Sequence, residues 1–347
     1  MAAQREFVTT RSPAYARLLD LLEAELDRGL EARLDGVWRE RSFRAFYERP
    51  LLLLAALRND ALREGRAHPL WPAVAAPTPD PSTLAAPAVR EALDPARRRL
   101  WRTLAERHVQ TNEPSRAVAW LWPAHLAARA TVARPLALVD VGASAGLNLV
   151  ADRLPPAWEA SDGSPLPVAP RAAVASRVGF DPRPLDALDE DDARWLRACV
   201  WPGHGDREAR LAAALDEFRA LRSGPGGPEV QPVPARDVPG RLPGPDDGRL
   251  TIVYQTVVRD YVPPAEWRAY EEGLRHWIEE RPRGSSLWVE LEVTGEPNPA
   301  RPPAAITAHV RGPTGLASLV LACCEPHPRR LSVDPGAVDE LVTALGG

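Results

Sequence analysis

The chain has 347 residues, 45% of them apolar, with 43 basic side chains against 47 acidic ones and a formal charge of −4. At roughly 100–200 residues per domain this length predicts about two domains, and the near-balanced charge removes the electrostatic reason to expect a nucleic-acid or anionic-membrane partner. Every basic residue is arginine, which excludes a lysine Schiff base, a lysine general base and a P-loop lysine.

Cys199, Cys323 and Cys324 have neither CxxC nor metal-finger spacing, so the expectation is a reduced, cytoplasmic protein with no structural metal. The opening MAAQREFVTTRSP has no apolar leader core, and the longest aliphatic run, 51–57, falls far short of the ~20 residues of a membrane span.

In chain order, 13–130 reads as helices with apolar groups three and four apart; Ser12 and Ser42 are the expected N-caps and Pro13 suits a first turn. The stretch 69–87 is too proline-rich for a helix or an inner strand and reads as a connector, followed by helices near 94–108 and 114–131. At 135 the pattern changes: PLALVDVGASAGLNLV reads as strand, tight turn, helix. Further β-like runs lie near 174–180, 229–234, 250–258, 286–293, 305–311 and 317–324, with helical patterns at about 189–222 and 264–281. The last two runs are joined by Arg311-Gly-Pro-Thr-Gly315, too short for a crossover, so they form an antiparallel hairpin. The expected fold is therefore α/β: a helical N-terminal region, 1–134, then a Rossmann-like, seven-stranded, mostly parallel sheet over 135–347 with an insertion at about 154–172.

Parallel strands closed by such a hairpin are the pattern of class I methyltransferases, and Asp140-Val-Gly142-Ala-Ser144-Ala-Gly146 resembles the first motif of that fold. The resemblance implies S-adenosylmethionine: a strand-end carboxylate meets the ammonium of its amino-acid tail, and turn N–H groups favour its carboxylate. Asp140, Gly142, Ser144 and Gly146 are thus candidate cofactor residues, with Ser144 standing where the usual motif has glycine. For the ribose-binding acid, Asp181 is preferred over Asp162, because VASRVGFD reads as a strand ending in an acid whereas Asp162-Gly163 reads as a turn. The same residues spell G-x-S-x-G, a serine-hydrolase elbow with Ser144 as nucleophile and His309 or His327 as relay, although only helices precede this strand.

VQTNEPSR at 109–116, VDVGASAGLNLVADR at 139–153, SRVGFDPRPLD at 176–186, WLRACVWP at 195–202 and WVELE at 288–292 stand in one order in which the whole chain resembles the bacterial family called domain of unknown function 2332. That resemblance implies a methyltransferase-like sheet behind a helical region and carries no established reaction.

Other residues have the types that chemistry needs. Asn112 and Arg116 suit a substrate carboxylate and Glu113 suits an acid or base, unless this cluster only caps the following helix. Asn148 and Asp152, four apart on the expected helix, share a face. Gln255, Arg259 and Tyr261 fall at a strand's carboxyl end, where open α/β sheets bind ligands. In WVELEV the alternation puts Trp288, Glu290 and Glu292 on one face, where paired carboxylates raise a pKa. Glu113, Glu290 and Tyr261 are the candidate catalytic groups, and Asn112, Arg116, Asn148, Asp152, Gln255, Arg259 and Glu292 the candidate substrate ligands. The expected activity is S-adenosylmethionine-dependent methylation of a small molecule, with a protein partner or a homo-oligomer left open. The alternatives are a cofactor-free displacement or cyclisation in secondary metabolism, and a non-catalytic binding partner.

Overall fold

The computed structural model describes residues 8–9, 11–43, 45, 47–130, 134–168, 170, 172–244, 248–294 and 302–346. Of the opening stretch 1–13, on which the absence of a leader rests, residues 1–7 and 10 lie outside them. The chain divides into two compact units, Met1–Thr111 with Leu188–Ala209, and Asn112–Ala187 with Arg210–Gly347.

The first unit is helical. Helix Pro13–Glu25 starts as its sequence dictates: Pro13 fills the first turn and Ser12 Oγ accepts from Tyr15 N–H at 3.4 Å. Helix Glu48–Glu64 starts later than Ser42 predicts; Tyr47 holds the cap position, and the Glu48 side chain reaches back to Ala45 N–H at 2.8 Å. The proline-rich connector contains helix Trp71–Val74, and helix Ala86–Ala92 begins at its end. Prolines in the first turn of each occupy positions whose N–H has no helical partner, which the expectation of a non-helical connector overlooked. Helices Arg98–Glu106 and Glu190–Cys199 belong to the same unit, and the buried Cys199 thiol is pushed up to about 11 by desolvation, consistent with a small core residue. No helix among the described residues is long and apolar enough to cross a membrane.

The second unit is built on one sheet with strands β1 (Leu136–Val141), β2 (Glu159–Ala160), β3 (Val174–Asp181), β4 (Glu229–Pro232), β5 (Leu250–Thr256), β6 (Ser286–Val293), β7 (Ala304–Gly312), β8 (Gly315–Cys324) and β9 (Arg330–Val333). It has nine strands in the order β2-β9-β8-β7-β6-β5-β1-β3-β4, where seven were expected. The two additions, β2 inside the 154–172 stretch and β9 near the C-terminus, are short and pair with each other, so neither carries enough alternation to be read. The inner strands β1, β3, β5 and β6 run parallel, while β7 and β8 form the antiparallel hairpin that the short Arg311–Gly315 link required.

β1 is buried along its whole length, which explains its unbroken apolar run. Leu138, Ile252, Tyr254 and Val289 face the core shared with helices Val118–Ala130 and Pro335–Leu345. Val139, Val141, Val253 and Trp288 face the other core, under helix Pro264–Glu279. The sequence order reverses at β1, which lies between β3 and β5; this switch point positions the site.

Candidate functional site

The turn after β1 holds three residues in the left-handed region, Gly142 (φ +73°), Ser144 (φ +54°) and Gly146 (φ +76°). Its N–H groups are drawn toward the end of β3: Gly142 and Ala143 both donate to Phe180 O, at 2.8 and 3.1 Å, and Ser144 N–H donates to Asp181 Oδ2 at 2.9 Å. The other Asp181 oxygen accepts from Arg183 N–H at 2.8 Å. Burial raises the Asp181 pKa while these two backbone donors oppose the rise. Asp181 therefore braces the turn through Oδ2 and its own following loop through Oδ1, whereas Asp162 is an exposed residue that accepts from Ser164 in its own turn.

Glycine is required here by protein contacts. A Cβ on Gly142 would lie 2.5 Å from Val258 Cγ2, and one on Gly146 would lie 2.7 Å from Val230 Cγ2. Past Gly146 the chain enters a 3-10 helix, Leu147–Arg153, in place of the expected α-helix. With three residues per turn Asn148 and Asp152 no longer share a face: Asn148 is buried, and Asp152 makes a bidentate pair with Arg177, 2.7 Å for each bond.

Asn112 Nδ2 donates to Ala143 O at 2.8 Å, tying the segment before the sheet to the turn. The 3-10 helices Pro114–Ala117 and Leu147–Arg153 pack on each other, and around them Asn112 Oδ1, Ser115 Oγ, Ser144 Oγ and Asn148 Oδ1 are buried without a hydrogen-bond partner among the described residues. Each unpaired buried polar atom costs about 1–3 kcal/mol, and four such oxygens lie around this one turn. Asp140 lies under this turn, opposite Tyr254 on β5; burial drives its carboxyl well above the usual range, against the lowering effect of the Tyr254 phenol.

A second polar group occupies the carboxyl ends of β5 and β6. Val257 is left-handed (φ +56°), a strained conformation for a β-branched residue, held by its N–H bond to Leu291 O at 2.8 Å. The next two N–H groups, of Val258 and Arg259, reach Glu292 Oε1 at 3.0 and 3.3 Å. Desolvation, with the Glu290 charge adding to it, nonetheless pushes the Glu292 carboxyl up to about 8. Gln255 is locked by Tyr270 Oη–H (2.5 Å) and Trp288 Nε1–H (2.9 Å), which both donate to its Oε1, and it donates to Glu290 at 3.2 Å. Glu290 also pairs with Arg259 at 3.4 Å and faces His309 Nε2 at 3.2 Å.

The structure therefore assembles Gln255, Arg259, Glu290 and Glu292, and leaves Tyr261 half exposed on a 3-10 turn. Glu113 is taken by capping: it accepts from Ser115 N–H and pairs with Arg210, both at 3.2 Å. Arg116 donates to Pro326 O at 3.0 Å. Sequence reasoning named His309 only as a relay for Ser144, but Ser144 Oγ has no hydrogen-bond partner among the described residues and His309 stands with Glu290. The alternation of β7 was the available signal, since it puts His309 in phase with Trp288 across the strand pair.

Among the described residues one group, Asp60, Glu64 and His68, brings three potential metal ligands together in the helical unit. Arg97 bonds both carboxylates, and His68 Nδ1 accepts from Leu70 N–H at 3.1 Å, so His68 Nε2 carries the proton and faces Asp60 at 3.4 Å. This is an ion-pair network with no lone pair turned inward from the imidazole.

Fold and site define an α/β protein with polar groups gathered at the carboxyl ends of a largely parallel sheet, around its switch point. The chain belongs to the family described as "Uncharacterized protein conserved in bacteria (DUF2332)", whose profile matches residues 2–332. No curated protein matches it.

Proposed function

We propose that the sheet unit is an S-adenosylmethionine-dependent methyltransferase acting on a small molecule. The observation that carries this reading is the set of unpaired buried oxygens, Asn112 Oδ1, Ser115 Oγ, Ser144 Oγ and Asn148 Oδ1, around the left-handed turn at the switch point. All four can accept hydrogen bonds, which suits the α-ammonium of the cofactor's tail. When bound, the cofactor supplies a methyl group on a sulfonium.

In this reading Asn112, Ser144 and Asn148 hold the tail, and Asp181 acts by fixing the turn. An acceptor lies toward the ends of β5 and β6, where Glu292, at about 8, exchanges a proton near neutral pH. Positioning supplies most of the rate. A second reading, the same sheet without the cofactor, is favoured by the contact of Val258 against the Gly142 face.

Calorimetric titration with S-adenosylmethionine and its demethylated product separates the two. Micromolar binding that weakens at least tenfold in Ser144→Ala, whose hydroxyl holds no partner among the described residues to lose, supports the first; no heat with either ligand refutes it.

A further inference from the structure

Ser318, His309 and Trp288 lie in one row across β8, β7 and β6, with Glu290 one step along. Ser318 Oγ is 2.8 Å from His309 Nδ1, and His309 Nε2 is 3.2 Å from Glu290 Oε1. The imidazole is 4% exposed and stacks on Trp288 with ring centroids 4.0 Å apart and planes 22° from parallel, so it cannot turn freely. Ser318 is exposed at the outer end of the chain of contacts.

The proton positions follow from the partners. Glu290 is paired with Arg259 and receives Gln255, so toward His309 it is an acceptor and Nε2 carries the ring proton. Nδ1 then presents its lone pair to Ser318, whose O–H donates inward and whose own lone pairs face outward. This is the relation between nucleophile, base and orienting carboxylate that activates a serine, recognised by geometry and not by position in sequence. It uses none of the G-x-S-x-G turn.

We propose that Ser318, His309 and Glu290 form a nucleophilic relay that cleaves short-chain acyl esters. Leu316 and Val320, two residues to either side on the same face, are half-buried and 40% exposed respectively, and offer apolar surface of a size for a short acyl chain. In the first step Ser318 Oγ forms a bond to the acyl carbon as the bond to the alcohol oxygen breaks; the hydroxyl proton passes to His309 Nδ1 and from there to the departing alcohol. Water then attacks the acyl-serine, gives its proton to Nδ1, and Ser318 leaves with that proton restored, so the sum is ester hydrolysis. Binding of S-adenosylmethionine is not required.

The test treats the full chain with a fluorophosphonate probe and maps the adduct by peptide mass spectrometry, alongside p-nitrophenyl butyrate as substrate. Expected are one adduct per chain on Ser318 and a matching p-nitrophenolate burst, both lost in Ser318→Ala and slowed at least tenfold in His309→Gln. Ser318→Ala changes an exposed side chain and keeps the fold. No adduct on Ser318, an adduct on Ser144 in its place, or equal labelling in His309→Gln of native circular dichroism overturns the proposal.

Discussion

Adding one methyl group at Gly142 tests the physical account of the turn. At φ +73° an L-residue costs about 1–2 kcal/mol relative to glycine. The new Cβ would stand 2.5 Å from Val258 Cγ2 and 3.2 Å from Cγ1. Val258 is 8% exposed and β-branched, so it has little room to rotate away, and overpacking of this kind costs about 1–3 kcal/mol. The entropy removed from the unfolded chain returns about 0.4–1 kcal/mol. Gly142→Ala is therefore expected to destabilise by about 1–4.5 kcal/mol. Val258→Ala alone loses buried methyl groups, for about 1–3 kcal/mol, but in the double variant it removes the collision, so the two changes couple favourably by about 1–2 kcal/mol. Urea unfolding followed by tryptophan fluorescence, with the slope m held in check across the four proteins, measures the cycle. Additive losses, or a Gly142→Ala cost under about 1 kcal/mol, would refute the claim that glycine is needed here for close packing.

Glu292 makes stability depend on pH. Its folded pKa of about 8 stands above the ordinary 4.5, so the folded chain holds a proton that the unfolded chain releases; the stabilisation is full below 4.5 and is lost as pH rises toward 8, by at most about 5 kcal/mol at 1.36 kcal/mol per unit. Glu290 and Arg259 face this carboxyl with opposite effects, and Glu292→Gln, whose amide oxygen still accepts from Val258 and Arg259, should flatten the decline between pH 4.5 and 8 in urea midpoints; an unchanged slope would count against the assignment. Asp152→Ala should cost about 3–5 kcal/mol, since it leaves the buried Arg177 guanidinium unpaired, whereas an apolar pair at both positions should recover most of that loss in the same assay.

Local rules were enough for much of this chain. The apolar run of β1 could only be an inner parallel strand, the short link after β7 could only make a hairpin, and Ser12 with Pro13 could only begin a helix, because each depends on residues adjacent in sequence. The alternation in WVELEV likewise put Trp288, Glu290 and Glu292 on one face, and β6 carries them there.

Where contacts are long-range, only the tertiary structure decided. Whether Asp181 faces a ligand or braces Ser144 depends on where the end of β3 meets the turn after β1, and the sheet register brings them together. Glu113 and Asp152 have the right chemistry for a site, yet each is claimed by an arginine distant in sequence, Arg210 and Arg177. His309 reads as any strand histidine until β6, β7 and β8 align it between Glu290 and Ser318. The type of a side chain is written in the sequence, but its partner is set by strand order and register, because a hydrogen bond needs its two atoms within about 3 Å and the chain alone does not specify which distant atoms come that close.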